Sequence, residues 1–283
     1  MRLDVKKTYK LFIGGKFPRS ESGHTYELTN PKGEFVANVV LASRKDARDA
    51  VVAARAAQPG WEGATAYNRG QVLYRIAEML EGRREQFVAE IRELTGATEI
   101  QANKEVDAAI DSWVWHAGWS DKVDSVAGSM NPVAGPFFNI STNQPTGVVA
   151  AFAPQKSSLV GLVNTIAPII VTGNTVVVVA SETLPLSAIT LTEVLATSDL
   201  PGGVVNVLTG KEKDLSPWLA SHQDVNAVDL EGTSDPVDLE IRAAETLKRV
   251  VRPGAFARTG SKGSLQQILA FMEIKTVWHP KGH

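Results

Sequence analysis

Asn174-Thr175-Val176-Val177-Val178-Val179 decides the fold. An unbroken valine run leaves no polar face for water, so it suits a strand buried on both sides, and the segment that follows, 187–197, reads as a helix. The same alternation extends outward in both directions. Upstream lie Gly147-Val148-Val149-Ala150-Ala151-Phe152 and a helical stretch ending near Val171. Downstream lie Val204-Val205-Asn206-Val207-Leu208, a helix, Ala227-Val228-Asp229-Leu230, a helix over about 235–248, and Arg249-Val250-Val251. Nearly continuous apolar strands separated by helices predict the α/β class, a Rossmann-like doubly wound parallel sheet covered on both faces.

Ahead of this core the chain reads as short strands and turns: Leu11-Phe12-Ile13 before Gly14-Gly15, and Phe35-Val36-Ala37-Asn38-Val39-Val40 after the turn signal Asn30-Pro31-Lys32-Gly33. From 43 to about 118 the period becomes helical. Ser43 and Asp46 have the spacing of a capping box, Ala47, Ala50, Val51 and Ala54 share a face, and Gly60 marks the expected end. Further helices are predicted over about 68–81, 84–94 and 99–115, the last with Ala102, Val106, Ala109, Ile110 and Trp113 as its apolar stripe. Together they make an N-terminal helical layer. Residues 128–144 are rich in Pro and Gly and contain Phe137-Phe138-Asn139-Ile140-Ser141-Thr142, which predicts a projecting hairpin. After Pro253-Gly254 the rhythm stops: Gly260-Ser261-Lys262-Gly263 reads as a flexible loop, and Met272-Glu273-Ile274-Lys275-Thr276-Val277-Trp278 as a terminal strand with no local partner. The expected divisions are 1–127 for the first strands and helical layer, 128–144 for the hairpin, 145–254 for the Rossmann-like core and 255–283 for the loop and terminal strand.

The 283 residues are 43% hydrophobic and 21% charged, with 29 Lys plus Arg against 31 Asp plus Glu, the profile of a folded globular chain. That balance has no excess of positive charge to neutralise a phosphate backbone, so nucleic acid is not an expected partner. No apolar run approaches the roughly 18 residues that cross a bilayer, and Met1-Arg2-Leu3-Asp4-Val5-Lys6-Lys7 leads into no apolar signal core. No membrane partner and a cytoplasmic location are expected. The absence of cysteine excludes disulfides, thiolate zinc sites and a cysteine nucleophile.

Short motifs add little. The dinucleotide fingerprint G-x-G-x-x-G does not occur, and the glycines with Ser261 and Lys262 over 254–263 do not fit a P-loop. His24, His116, His222, His279 and His283 have no second ligand at helical spacing, so no metal site is expected. Ser157 and Ser158 follow Lys156 at a helix start, where an N-cap is the commoner role than an activated nucleophile. Trp113, Trp115 and Trp119 read as packing residues.

Longer segments carry a resemblance. Phe12-Ile13-Gly14-Gly15-Lys16-Phe17, Asn30-Pro31, Pro145-Thr146-Gly147-Val148-Val149, Ile166-Ala167-Pro168, Gly173-Asn174-Thr175-Val176-Val177, Leu200-Pro201-Gly202-Gly203-Val204-Val205-Asn206-Val207-Leu208-Thr209-Gly210 and Leu219-Ala220-Ser221-His222-Gln223-Asp224-Val225 together resemble the N-terminal, cofactor-binding region of the aldehyde dehydrogenase superfamily. The tail from Phe271 to Trp278 is similar to that family's C-terminal oligomerisation strand. The resemblance implies that the equivalent of roughly two hundred residues, the catalytic domain with its cysteine, is missing between Val251 and Gly260. It also implies changed cofactor-facing positions. Pro154-Gln155-Lys156 stands where the family has Pro-Trp-Asn, so the charged, flexible Lys156 replaces an oxyanion donor. Val179-Ala180-Ser181-Glu182 stands for Lys-Pro-Ser-Glu, whose Lys and Glu hold the adenosine ribose, which leaves Glu182 as the one candidate cofactor-binding residue. Gly232-Thr233-Ser234-Asp235-Pro236-Val237 stands for the pyrophosphate turn Gly-Ser-Thr-x-x-Gly, with Asp235 placed to repel phosphate and the last glycine lost. Pro253 falls near the family's general base.

What the resemblance implies is a non-catalytic, pseudoenzyme-like subunit with no catalytic residue, no metal, no cofactor beyond a vestigial NAD site at Glu182, and a full-length aldehyde dehydrogenase subunit as its partner in a hetero-oligomer. The hairpin and the terminal strand are then a projecting β oligomerisation flap, and the strand's hydrogen-bonding partner is expected on another chain. Three alternatives stay open: an NAD(P)-dependent aldehyde oxidoreductase in its own right, a hydrolase built around Ser157 and Lys156, and a nucleotide-sensing regulator relying on Glu182.

Overall fold

Helix starts in this protein are set by side chains that satisfy first-turn amides. The computed structural model describes residues 7–260 and 262–282, and the readings made on 1–6, Ser261 and His283 lie outside these residues. Helix α1 (Arg44–Gly63) opens on the expected capping box: the Asp46 amide donates to Ser43 Oγ at 3.2 Å and the Ser43 amide to Asp46 Oδ2 at 2.8 Å. It continues past Gly60 because Trp61 is buried beyond it, its indole N–H donating to the Ile170 carbonyl at 2.8 Å. Tertiary anchoring overrides the Pro59-Gly60 stop signal. The preceding hairpin of β1 (Thr25–Thr29) and β2 (Phe35–Val40) contains a strand without an apolar alternation, since Leu28 alone is buried in β1. Leu11-Phe12-Ile13 does not form a strand; Phe12 instead makes an isolated antiparallel bridge to Val207. Helices α2 (Ala66–Glu81), α3 (Arg84–Thr95) and α4 (Glu99–Trp119) complete the helical layer, α4 opening on a second capping box between Thr98 and Gln101.

Helix α5 (Val123–Ala127) leads into β3 (Ser129–Asn131) and β4 (Phe137–Pro145), which pair antiparallel away from the core. The chain then alternates as expected: β5 (Val148–Phe152), α6 (Val160–Ile170), β6 (Thr175–Val179), α7 (Leu186–Leu195), β7 (Val205–Leu208), α8 (Glu212–Ser221), β8 (Ala227–Asp229), α9 (Pro236–Ala244) and β9 (Arg249–Val251). The strands form one parallel sheet in the order β7-β6-β5-β8-β9, with Val149 opposite Val176 and Ala150 opposite Val228. Strand side chains alternate in direction, so Val149, Ala151, Val176 and Val178 pack in one core with Trp113 and Ile166, while Val148, Ala150, Phe152 and Val177 pack in a second with Ala50, Leu215 and Leu219. Each fully buried valine contributes about 1.5–3 kcal/mol of transfer free energy, and both sides of the sheet need a helix layer to collect it.

The tail corrects an expectation. After the short helix α10 (Leu265–Leu269), β10 (Met272–Pro280) pairs antiparallel with β4 of the same chain along its whole length, from Met272 opposite Pro145 to Pro280 opposite Phe137. The terminal strand therefore does have a local partner, β4 of the same chain, along one of its two edges. The reason lies at the base of the strand. Phe271 is fully buried and its carbonyl accepts from the Thr146 amide at 3.1 Å and from Asn174 Nδ2 at 2.8 Å, which sets β10 beside the start of β5 and hence in register with β4. The resulting sheet, β10-β4-β3, keeps β10 as an open edge. One face carries the polar ladder Asn131, Asn139, Ser141 and Thr276 flanked by exposed Ile274 and Trp278; the other carries the exposed row Met130, Ile140 and Val277. Among the described residues no helix is long and apolar enough to cross a membrane.

His116 of α4 is fully buried where the helical layer meets the tail, its Nδ1–H donating to the Ser112 carbonyl at 2.8 Å. Burial pushes its imidazole down from 6.5 to about 4, with the Arg258 charge adding to the shift. A folded value below the unfolded one means that the contribution is fully present above pH 6.5 and is lost as pH falls toward 4. The full loss is about 3 kcal/mol. Urea midpoints measured at pH 7.5 and 4.5 should show this loss, and a His116→Gln chain, whose amide does not titrate, should show a shallower drop.

Candidate functional site

In this sheet the chain winds to opposite sides from β5, so a crevice is expected outside the carboxyl ends of β5 and β8. Here the two following loops meet directly. The Gly232 amide donates to the Phe152 carbonyl at 3.0 Å, and a Cβ on Gly232 would lie 2.0 Å from the Ala153 carbonyl oxygen. Gln155 ties the rim together: its side-chain amide donates to the Ala153 carbonyl at 3.1 Å and its Oε1 accepts the Glu182 amide at 2.9 Å. Its backbone carbonyl accepts Ser181 Oγ at 3.0 Å.

Three helices start at this rim, and each N-terminus holds a carboxylate from the chain itself. Glu105, on α4, accepts the Leu159 and Val160 amides at 2.8 and 3.3 Å and so caps α6. Glu182 accepts the Glu212 amide at 2.6 Å and caps α8. Asp235 accepts the Asp238 amide at 3.2 Å and caps α9, while buried Glu212 accepts both the amide and the hydroxyl of Ser234 at 3.2 and 2.8 Å. Helix N-termini are anion sites because their amides are unpaired and the helix dipole is positive there. In this molecule carboxylates fill that role.

The residues singled out from the sequence are thus brought to one rim, with changed roles. Glu182 borders a cavity of about 300 Å³ lined also by Tyr26, Thr29, Thr183, Gly210 and Lys211. Among the described residues Tyr26 Oη is buried there with no hydrogen-bond partner, and burial together with the nearby Glu182 charge pushes the phenol up, so it stays protonated. Ser234 and Asp235 line a second cleft, about 400 Å³ between α8 and α9, with Glu212, Lys213, Ser216 and Asp238. Lys156 is exposed. Ser157 is not the N-cap of α6, which is Leu159, but it serves the same helix: Oγ accepts the Gly161 amide at 2.8 Å and donates to Glu105 Oε1 at 3.2 Å. Among the described residues, no cluster of three or more His, Cys, Asp or Glu has the arrangement to hold a metal ion.

Glu105, Glu212, Asn164 and Arg258 belong to the rim and were not read from the sequence. For Asn164 a signal existed. Pro168, four residues on in α6, has no N–H, so the Asn164 carbonyl loses its helical donor. It accepts instead from Arg258 Nη1 and Gln267 Nε2, each at 2.6 Å. The other three come from helices and loops far apart in sequence and carry no local pattern.

Comparison with known proteins gives a consistent result. Residues 17–252 match the family model described as the aldehyde dehydrogenase family. The chain is 31% identical over 252 residues to the putative aldehyde dehydrogenase DhaS of Bacillus subtilis (strain 168), covering 87% of this chain and 50% of that protein. It is 32% identical over 256 residues to retinal dehydrogenase 2 of Homo sapiens, covering 88% and 48%. An aldehyde dehydrogenase structure from Bacillus cereus, solved as an NAD+ complex, superposes with a TM-score of 0.81 at 26% identity, covering 86% of this chain and 50% of that one. The chain spans about half the length of these curated relatives.

The backbone contact at the rim is testable. Gly232→Ala drives a Cβ into a carbonyl and should cost roughly 2–3 kcal/mol, whereas Gly60→Ala, in open space within α1, should stabilise by about 0.5–1 kcal/mol. Urea unfolding midpoints of the two variants should move in opposite directions.

Proposed function

The chain belongs to the aldehyde dehydrogenase family, and from that premise we propose that it is a non-catalytic member that assembles with and supports a full-length catalytic aldehyde dehydrogenase. The observation that carries this reading is the Glu212 carboxylate on the amide and hydroxyl of Ser234. Donors that the resemblance assigns to a pyrophosphate are engaged by a fixed negative charge, and Asp235 adds another at the same turn. The donor set does not fit a dinucleotide phosphate. The remaining Glu182 carboxylate is engaged by the α8 N-terminus instead of a ribose.

The chemistry points the same way. A thiohemiacetal route needs a thiolate, and the sequence contains no cysteine. The Ser157 hydroxyl donates to Glu105 Oε1, an oxygen already occupied by the Leu159 and Val160 amides in capping α6, and Lys156 stands in solvent, so the pair is arranged as a helix cap and not as the nucleophile and base of a hydrolase. The assembly half of the proposal rests on the flap. Its Met130, Ile140 and Val277 row is apolar and exposed on one face of a three-stranded sheet, and Ile274 and Trp278 stand exposed beside the polar ladder on the other, an arrangement that suits burial against a partner. β10 is paired with β4 on one side and keeps its other edge open, so the flap offers an apolar face and a free strand edge to the same partner.

Two measurements test the halves separately. Calorimetric titration with NAD should give no binding or a dissociation constant well above the micromolar range; a low micromolar value, near −8 kcal/mol, would sink the self-filled reading of the rim. Purification from native cells followed by intact-complex mass measurement should recover a full-length family member with the chain. Ile140→Asp with Val277→Asp should abolish that association while leaving the parallel sheet folded. Recovery only as monomer or self-oligomer counts against assembly.

A further inference from the structure

Between β9 and α10 the chain crosses the carboxyl end of the sheet without regular structure, and within 252–260 Arg258 is the one buried residue. Its guanidinium enters a prepared socket. Nη2 meets Asp229 Oδ2, at the end of β8, at 2.6 Å, and Nη1 donates to the Asn164 carbonyl that Pro168 leaves without a helical donor. The Asn164 side chain completes the grip, its Nδ2 donating to the Arg258 carbonyl at 3.0 Å and to the Gly260 carbonyl at 2.8 Å. Around this plug the segment has only partial contacts: half-buried Phe256 packs against the core beneath the Arg258 guanidinium, and Arg252 pairs with Glu240 at the surface at 2.8 Å. Arg252, Pro253, Gly254 and Ala255 are exposed, Gly254 adopts a left-handed φ of 73°, and the Gly254 amide reaches Glu231 Oε2 at the surface. By contrast, α10 and the start of β10 are anchored by apolar burial of Ile268 and Phe271.

A segment whose one buried side chain is charged, and which is flanked by an apolar anchor, has the makeup of a unit that opens without the rest of the protein. A buried ion pair adds little net stability compared with apolar packing, yet loses several kcal/mol when one partner is removed, which makes it a key more than a clamp. We propose that residues 252–260 form a strap that opens locally over the carboxyl end of β8 and the N-terminal half of α6, with Arg258 as its key and Asp229 and Asn164 as the socket. The strap is the chain's own cover for the crevice beside the rim. Its opening exposes Asp229 and the Asn164 carbonyl while the sheet, α10 and the flap stay in place.

Trypsin reads the opening directly, because cleavage after Arg258 requires withdrawal of its side chain from the socket. The rate after Arg258, referred to cleavage after exposed Lys156, should rise at least tenfold in Asp229→Asn, without change in far-UV circular dichroism. It should be insensitive to urea well below the global transition. Gln267→Leu keeps the ion pair and removes one donor to Asn164, and should raise the rate two- to fivefold. A rise below twofold in Asp229→Asn, or cleavage that follows global unfolding in its urea dependence, would overturn the strap. If Asp229→Asn does not fold, the paired Asp229→Leu, Arg258→Met chain leaves no lone buried charge and is read by deuterium uptake over 253–260. Faster uptake than in the natural chain supports the proposal; equal uptake overturns it.

Discussion

The amides at the carboxyl end of the parallel sheet govern much of this molecule. Helices α6, α8 and α9 all begin there, and each brings unpaired N–H groups and the positive end of a dipole to the same rim. Water can satisfy such groups at an open surface, and the contact between Gly232 and the β5 loop closes only the part of the rim between β5 and β8. Carboxylates from Glu105, Glu182, Glu212 and Asp235 meet that need from within the chain. The same positions that a family resemblance connects with a bound dinucleotide thereby become part of the fold's own hydrogen bonding.

A second constraint starts from one residue in a helix. Pro168 in α6 removes the donor for the Asn164 carbonyl, and a buried carbonyl without a partner is costly. Two donors from the tail, Arg258 and Gln267, converge on it, and Arg258 needs a counter-charge, which Asp229 supplies. Burial pushes the Asp229 carboxyl up, and the Arg258 charge opposes that push. Helix, sheet end and tail are joined through polar groups that have few alternatives, which gives specificity of placement more than net stability.

The flap shows how the tail's two halves divide their work. Phe271 provides an apolar anchor with its carbonyl held by Thr146 and Asn174, and that fixes where β10 begins. Pairing along β4 follows from that starting point, and the polar ladder of Asn131, Asn139, Ser141 and Thr276 runs down one face beside the exposed Ile274 and Trp278. The apolar row on the other face remains in water in the single chain, where such a patch marks a surface suited to contact.

Local sequence determined the α/β class, the five apolar strands, the four helices of the N-terminal layer and the capping box at Ser43, because these depend on side-chain period and on contacts three or four residues apart. It also marked Glu182, Ser234 and Asp235 as members of the site through their likeness to a known turn. It did not reveal β1, where a single buried leucine leaves no alternation, nor the end of α1, which Trp61 sets from across the core. The partners that fill the rim were equally hidden: Glu105 reaches α6 from 54 residues away, and Arg258 reaches Asp229 from 29. The terminal strand was legible as a strand, but its partner was not, since nothing in its alternation distinguishes β4 of the same chain from the edge of another. Period and capping are local properties, written within a few residues. Which carboxylate meets which amide, and which strand meets which edge, are decided when elements distant in sequence are packed together.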